Sequence, residues 1–223
     1  MSIRTILDRA LPAPLRSVTA NTGRMARYLS GRFSKVNETP TFVLGNQKSG
    51  TTVLAAALAH ASGASVTLDI RDITIDYLLG LHNGSVPVST FVERYRRSFS
   101  RDIIKEPGLT FVFEALRERF PEASYVLIVR DPRDNIRSLL NSLGLPGDAT
   151  SLSTSDQRGL HPVWRAILQS DHLGIKANHY IARLAHRWNL AADVYLRHPE
   201  DVALLSYEDF CAAKIEYVED AVQ

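Results

Sequence analysis

A short run of glycine, lysine and hydroxyl residues contains side chains suited to holding a phosphate: Gly45-Asn46-Gln47-Lys48-Ser49-Gly50-Thr51-Thr52. It follows an apolar, strand-like segment and precedes one with helical spacing. A turn at such a junction points backbone N–H groups and the positive end of the helix dipole at one place. Glycines allow close backbone approach, Lys48 adds a positive charge, and the Ser and Thr hydroxyls can donate hydrogen bonds. The run therefore predicts an anion-binding site.

This loop departs from the nucleotide-binding Walker loop at one position. That motif has Lys directly after its second Gly, where this chain has Thr51, whereas Lys48 precedes Gly50 by two residues. No acid pattern suited to magnesium follows the next strands. An ordinary ATP- or GTP-dependent kinase is therefore a secondary alternative. The other alternative is a Gly-Ser turn whose lysine is incidental and binds no ligand.

A second polar segment, Val129–Ser138, follows the most apolar stretch of the chain. Arg130 would leave the carboxyl end of a central strand, and Ser138 lies about two turns into the next predicted helix. Both side chains can therefore face one crevice beyond the sheet. Taken alone, the segment could equally be a solvated helix start with Asp and Arg pairs.

Together the two motifs resemble those of sulfotransferases that use 3′-phosphoadenosine 5′-phosphosulfate as donor, with a layout like that of bacterial and protein-tyrosine members. Residues 48–52, Lys-Ser-Gly-Thr-Thr, are similar to the family's 5′-phosphosulfate loop. Arg130 and Ser138 are similar to its 3′-phosphate element. The resemblance covers roughly residues 41–210. It implies that Lys48 stabilises charge on the oxygen leaving sulfur, and that residues 49–52 hold the 5′ phosphate.

The segment 206–210, Ser-Tyr-Glu-Asp-Phe, is similar to the family's Tyr-Glu-Asp element. By resemblance to the tyrosine sulfotransferase branch, Tyr207 would help to bind the nucleotide; a tyrosine at the edge of the core is the alternative. The family's further segment, which brings another Lys or Arg to the nucleotide, has no counterpart before Gln223. The domain is therefore expected to be short at its C-terminus.

The resemblance offers two candidates for the base that deprotonates the acceptor. Tyrosine sulfotransferases use a Glu about 17 residues after the loop, with an Arg two positions further, which falls on Asp69 and Arg71 here. Cytosolic members use a His in a Lys-Thr-His run after the strand that here ends at Lys105; this chain has Lys105-Glu106-Pro107, so that His is absent, but Glu serves as base elsewhere in the family. We favour Asp69 oriented by Arg71, keep Glu106 as the rival, and expect Lys105 to assist at the transferring group. Ordinary surface or strand-end carboxylates are the alternatives.

Short apolar runs alternate with helical periodicity from residue 41 onward. Strands are predicted over Thr41–Leu44, Ser65–Leu68, Asp102–Lys105, Tyr125–Val129 and Val202–Leu205. Helices are predicted over Thr51–Ala61, Ile73–Leu81, Thr90–Phe99, Leu109–Phe120, Pro132–Leu143 and Asn178–Arg197. This alternation predicts an α/β fold of P-loop type, with a mostly parallel central sheet flanked by helices on both faces.

One segment without periodicity, Asn141–Pro162, is rich in Gly, Ser, Thr, Asp and Pro. Loops of that length inside a compact domain are usually functional or mobile. We therefore expect a lid or an acceptor-binding segment here.

The composition restricts the class of protein further. The chain has 223 residues with 45% apolar and 22% charged side chains, which suits one globular domain. A single cysteine, Cys211, excludes an internal disulfide, and no run is long and apolar enough for a membrane span. A soluble protein in a reducing, cytoplasmic compartment is expected.

Charge is unevenly distributed along the chain. Residues 1–40 carry seven Arg and Lys against two acids, whereas residues 41–223 carry 19 against 22. The division predicts a basic, partly helical leader over residues 1–40, which either docks on the domain or contacts an anionic membrane surface. Because the body has no basic stripe, no nucleic-acid partner is expected.

Other chemistries lack their residues. The histidines show no metal-ligand spacing, so no metal is predicted, and no Gly-x-Ser-x-Gly motif supplies a hydrolase nucleophile. The sequence thus predicts in-line sulfuryl transfer to a hydroxyl of a small molecule, sugar, lipid or peptide. A nucleotide or sugar kinase and a non-catalytic nucleotide-binding module are the alternatives, and the acceptor and oligomeric state are left open.

Overall fold

The computed structural model describes residues 34–148 and 151–213. Its centre is a five-stranded sheet in the order β2-β3-β1-β4-β5, and every neighbouring pair is parallel. The strands are β1 (Thr41–Leu44), β2 (Val66–Thr67), β3 (Ile103–Lys105), β4 (Ser124–Val129) and β5 (Val202–Ser206).

Helices connect and cover these strands. They are α1 (Thr51–Ser62), α2 (Ile75–His82), α3 (Val88–Arg94), α4 (Phe113–Arg119), α5 (Pro132–Leu143), α6 (Thr154–Gln157), α7 (Pro162–Gln169), α8 (Tyr180–Arg197) and α9 (Tyr207–Ala213). Short 3₁₀ helices occupy Ser98–Ser100, Pro107–Val112 and Asp171–Leu173.

Alternate residues of the strands build two separate cores. Phe42 points to one face, where it meets the rings of Phe99, Phe120 and Tyr125 beneath α3 and α4. Val43 points to the other face, which is packed with residues of α1 and α9. Since a strand alternates its side chains between faces, both faces need apolar cover. The predicted α/β fold of P-loop type, with helices on both faces, is confirmed.

A third cluster joins helices to one another away from the sheet. Leu139 and Leu140 of α5 pack against Ile167 of α7 and Leu184 of α8. This contact fixes α5 and α8, which both supply residues to the site described below.

Three predicted segments differ from the structure. The helix predicted over Thr90–Phe99 lies at Val88–Arg94 and is followed by the 3₁₀ helix Ser98–Ser100. Over Leu109–Phe120 the chain forms a 3₁₀ helix and then α4, because the backbone of Val112 leaves helical geometry between them. Within Asn141–Pro162, α5 continues to Leu143 and one helical turn forms α6. The next helix, α7, was not predicted, although Pro162 at its first position and a capping His161 side chain mark its start.

The register of the sheet brings four chain segments to one edge. Leu44 at the end of β1 lies beside Leu127 of β4, while β3 ends at Lys105, whose partner is Val43. β5 ends at Ser206, opposite Val129. The segments that follow β1, β3, β4 and β5 therefore all emerge at the carboxyl edge, where parallel α/β sheets bind ligands.

The predicted leader falls mostly outside the described residues. Of its last seven residues, which are described, Val36 is buried in the first core. Among the helices of the described part of the chain, none combines the length and apolarity that crossing a membrane requires.

Gly45, directly after β1, tests how tightly the sheet holds the following loop. Its φ is +145°, and an added Cβ would lie 2.6 Å from the carbonyl oxygen of Ile128. Gly45→Ala should therefore lower the free energy of unfolding by roughly 2–4 kcal/mol, because the clash is with backbone. Denaturant titration measures the change. Gly147→Ala, where an added Cβ meets nothing within 4 Å, is the matched control and should change little; equal stability of the two variants would contradict the close approach.

Candidate nucleotide and transfer site

The loop between β1 and α1 has the backbone geometry of an anion cradle. Lys48 and Gly50 both adopt positive φ, at 71° and 93°. Gly50 is the N-cap of α1, and no side chain caps this helix. The first N–H groups of α1 therefore have no side-chain acceptor and point, with the helix dipole, toward the loop. The Lys48 side chain is exposed beside them.

A fully buried amide on α5 holds this loop in shape. Asn135 Nδ2 donates to the Gln47 carbonyl and to Ser49 Oγ, both at 2.9 Å. Its Oδ1 accepts from Asn46 Nδ2 at 3.1 Å. Ser49 is itself buried, so its hydroxyl braces the loop. On the other side, Thr110 Oγ1 accepts the Gly45 N–H at 2.9 Å.

The two motifs predicted to hold one nucleotide meet at the carboxyl edge. Arg130, at the end of β4, donates from Nη1 to the Lys48 carbonyl at 3.3 Å. Its guanidinium carbon lies 4.5 Å from the centre of the Tyr207 ring, and its carbonyl accepts from Trp188 Nε1 at 2.9 Å. Arg130 Nε is buried without a partner among the described residues. A buried, unsatisfied guanidinium N–H fits the oxygen of a bound anion.

Tyr207 closes the cradle from the opposite side. An added Cβ at Gly50 would lie 2.5 Å from the Tyr207 ring, so the ring lies directly on the loop. Glu208, next to it, accepts the Asp131 N–H through Oε1 at 3.0 Å. This bond ties the start of α9 to the start of α5, and thereby fixes Tyr207 near Arg130.

Ser138 is half-buried on α5, three residues after Asn135. Residues at this spacing share a helix face, so Ser138 lies one turn beyond the residue that braces the loop. No hydrogen bond of its hydroxyl appears among the described residues.

On the other side of β1, Lys105 and Asp69 form an ion pair. Lys105 Nζ lies 2.5 Å from Asp69 Oδ1, with side-chain exposures of 5% and 63%. The ammonium group of this buried lysine therefore pairs with a carboxylate that is mostly exposed to solvent. Arg71 is exposed and forms no ion pair with Asp69; Lys105 is the cation that orients this carboxylate.

Glu106 has a different environment from Asp69. Its Oε1 accepts the Gly108 N–H at 3.1 Å, and its Oε2 accepts the Ile70 N–H at 3.3 Å. Burial raises the pKa of this carboxyl, against the lowering effect of the Gly108 N–H. Both oxygens are engaged with backbone, and one of them caps the 3₁₀ helix that follows.

Sequence reasoning did not identify the residues that brace the site. Asn135 lies within the segment that carries Arg130 and Ser138. A neutral amide among charged residues at a helix start was the sequence feature that could have indicated its role. Thr110 and Arg187 carried no motif, because their roles arise from contacts with the loop made across 65 and 140 residues.

A group of potential metal ligands lies elsewhere. Atoms of His198, Glu200 and Asp201 come within 4.8 Å of one another. These residues precede β5, at the amino edge of the sheet, so they are on the side opposite the loop.

Comparison with solved structures identifies the class of fold. The chain is similar to a sulfotransferase from Alicyclobacillus acidocaldarius, with a TM-score of 0.52 and 14% identity over 83% of this chain and 80% of that one. It is also similar to a sulfotransferase from Mycobacterium tuberculosis H37Rv, with a TM-score of 0.51 and 13% identity over 89% and 70%. The chain therefore has a sulfotransferase-like fold.

No protein-family model and no curated protein matches the chain.

Asn135→Ala should disorder the loop, because it removes three hydrogen bonds and leaves Asn46, Ser49 and the Gln47 carbonyl unsatisfied. We expect a loss of roughly 2–4 kcal/mol in the free energy of unfolding, the scale for breaking a buried polar network. Urea titration measures it. Asn141→Ala, at an exposed position of the same helix, is the control. A loss no larger than that of the control would show that the amide does not brace the loop.

Proposed function

We propose that the protein is a sulfotransferase that moves a sulfuryl group from 3′-phosphoadenosine 5′-phosphosulfate to an acceptor hydroxyl. The observation that carries this proposal is the hydrogen bond from Arg130 to the Lys48 carbonyl. It joins the loop suited to a phosphosulfate and the arginine suited to a second phosphate in one crevice. A ligand with anionic groups at two ends matches that arrangement better than a nucleoside triphosphate, whose phosphates form one chain.

The donor would be held at both ends by residues of this chain. The N–H groups of residues 50–52 and the hydroxyls of Thr51 and Thr52 hold the 5′ phosphate at the start of α1, while the predicted Ser49 N–H donates to the Asn46 carbonyl at 3.2 Å. Arg130 and Ser138 hold the 3′ phosphate, and Tyr207 covers the nucleotide from α9. The unsatisfied Arg130 Nε and the uncapped helix start support this assignment, since both lack the acceptor that a phosphate supplies.

The donor supplies an activated sulfuryl group for in-line displacement. The acceptor oxygen bonds to sulfur while the bond from sulfur to the 5′-phosphate oxygen breaks. The acceptor proton passes to a carboxylate, leaving a sulfate ester and 3′,5′-diphosphoadenosine. Lys48 stabilises the negative charge on the leaving oxygen, and Lys105 stabilises the oxygens of the transferring group.

Asp69 is the better candidate for the base. One of its oxygens is bonded to Lys105, its side chain is mostly exposed, and the other oxygen is available to an acceptor. Glu106 instead has each oxygen bonded to a backbone N–H, so protonating it would break local structure. The acceptor would carry a hydroxyl and would be a small molecule, sugar, lipid or peptide. The segment 141–162 would act as a lid or bind this acceptor.

Replacing Lys48 tests the assignment of the loop. Lys48→Ala should lower kcat by about 10²-fold or more, because it removes a preorganised charge at the leaving oxygen. Transfer of radiolabelled sulfate from the donor to a panel of phenols and sugars provides the assay. Lys176→Ala, at an exposed position distant from the loop in sequence, is the control.

Three outcomes would contradict the proposal. Unchanged turnover in Lys48→Ala would remove the lysine from the chemistry. A Mg²⁺-dependent preference for ATP over the 3′-phosphorylated nucleotide would favour a kinase. Tight binding of 3′,5′-diphosphoadenosine without transfer to any acceptor would favour a non-catalytic module.

The two carboxylates can be separated by isosteric amides. Asp69→Asn should lower kcat by about 10²- to 10⁴-fold, the range for losing a general base, with nucleotide affinity unchanged. Glu106→Gln should mainly lower stability, because an amide nitrogen cannot accept one of the two N–H groups. Steady-state kinetics and calorimetric titration with 3′,5′-diphosphoadenosine distinguish these results. The opposite pattern would make Glu106 the base.

A further inference from the structure

Arg187 on α8 is a buried charge without a charged partner. It is 1% exposed, and Nε and Nη2 donate to the neutral Gln47 Oε1 at 3.3 and 3.2 Å. Its Nη1 is buried with no acceptor among the described residues. Its guanidinium carbon lies 4.0 Å from the centre of the Phe111 ring. Burial lowers the pKa of Arg187 to about 9, so the side chain keeps its charge at pH 7.

Two histidines beside Arg187 have unsatisfied ring nitrogens. The rings of His82 and His172 stack with centroids 5.1 Å apart, and His82 also meets Phe111 edge-on at 5.7 Å. His82 Nδ1 and His172 Nε2 are buried without partners in the described part of the chain. Burial, followed by the charge of Arg187, lowers the pKa of His82 to about 3 and that of His172 to about 4. Both rings are therefore neutral at pH 7.

The protonation of His82 follows from its hydrogen bond. Its Nε2 lies 2.8 Å from the Gly108 carbonyl oxygen, which only accepts. The proton of the neutral ring is therefore on Nε2, and Nδ1 is a hydrogen-bond acceptor. The cluster thus offers a cationic donor, Arg187 Nη1, and a neutral acceptor, His82 Nδ1.

The cluster lies between the glycine-lysine loop and the residues predicted to meet the acceptor. Gly108 and Phe111 belong to the 3₁₀ helix that directly follows Lys105 and Glu106. Arg187 bonds to the Gln47 side chain, one residue before Lys48. Glu106 accepts both the Gly108 N–H and the Ile70 N–H, so the 3₁₀ helix that bonds His82 lies next to the residue that follows Asp69.

We propose that Arg187 binds a carboxylate of the acceptor, and that His82 Nδ1 accepts a hydrogen bond from an N–H or O–H group next to that carboxylate. A buried guanidinium needs an anionic acceptor, and an ionised carboxylate gives it a charge-assisted hydrogen bond. The acceptor class is then hydroxyl compounds that carry an acid with an adjacent donor. This inference rests on the proposed function for the identity of the ligand as acceptor.

Paired acids and esters test the proposal without any variant. N-acetyl-L-tyrosine, 4-hydroxymandelate and methyl β-D-glucuronide each carry a hydroxyl and a carboxylate next to an N–H or O–H. We expect at least one acid to bind about tenfold or more tightly than its methyl ester, by calorimetry on the wild-type protein. If no acid exceeds its ester, the proposal is overturned.

Variants then assign the preference to Arg187. Arg187→Met should abolish the discrimination between acid and ester, while Arg187→Lys should retain part of it as a point charge. Arg197→Met, at an exposed position of the same helix, is the control and should keep it. A preference that survives in Arg187→Met would overturn the proposal.

Nucleotide binding separates this inference from the proposed function. Because Arg187 also bonds to Gln47 in the loop, Arg187→Met should lower nucleotide affinity, and acid and ester are therefore compared at saturating 3′,5′-diphosphoadenosine. An equal loss of affinity for acid and ester in Arg187→Met would show a defect of the loop alone and overturn the proposal. If the wild-type protein binds no nucleotide but still prefers the acids, the sulfotransferase function fails and the carboxylate site stands.

Discussion

The buried amide of Asn135 is the constraint on which the candidate site depends. A loop with lysine and glycine at positive φ does not keep one conformation by itself, because its backbone groups must find partners. Asn135 bonds to one of them, the Gln47 carbonyl, and to the side chains of Asn46 and Ser49, from a helix that is anchored in its own apolar cluster. The packing of α5 against α7 and α8 therefore fixes Asn135, and Asn135 in turn fixes the residues on either side of Lys48.

The site concentrates positive charge with little compensation. Lys105 has Asp69 as its partner, but Arg187 is bonded to a neutral amide and Arg130 to a carbonyl oxygen. Such an arrangement costs free energy in the protein alone, since buried charges lose hydration. An anionic ligand bound there would offset this cost, and its binding would therefore raise the stability of the protein.

The sequence predicted the sheet well because its signals are local. Thr41–Leu44 and Pro132–Leu143 have the predicted bounds, since short apolar runs and a proline at a helix start act within a few residues. The adjacency of Lys48 and Arg130 also followed, because parallel strands end at one edge. The bracing by Asn135 and Thr110 and the cluster around Arg187 did not follow. They depend on side-chain directions between segments up to 140 residues apart, which no local pattern encodes.

The ring of Tyr207 lies on Gly50, so the loop and the ring that covers it come from opposite ends of the described chain. β5 must pair with β4 before this ring reaches the loop. A growing polypeptide on the ribosome therefore lacks this cover until β5 and Tyr207 have emerged. A ligand that needs both the loop and Tyr207 would not stabilise an early folding intermediate, and a chain that stops before β5 would lack the cover even with the glycine-lysine loop intact.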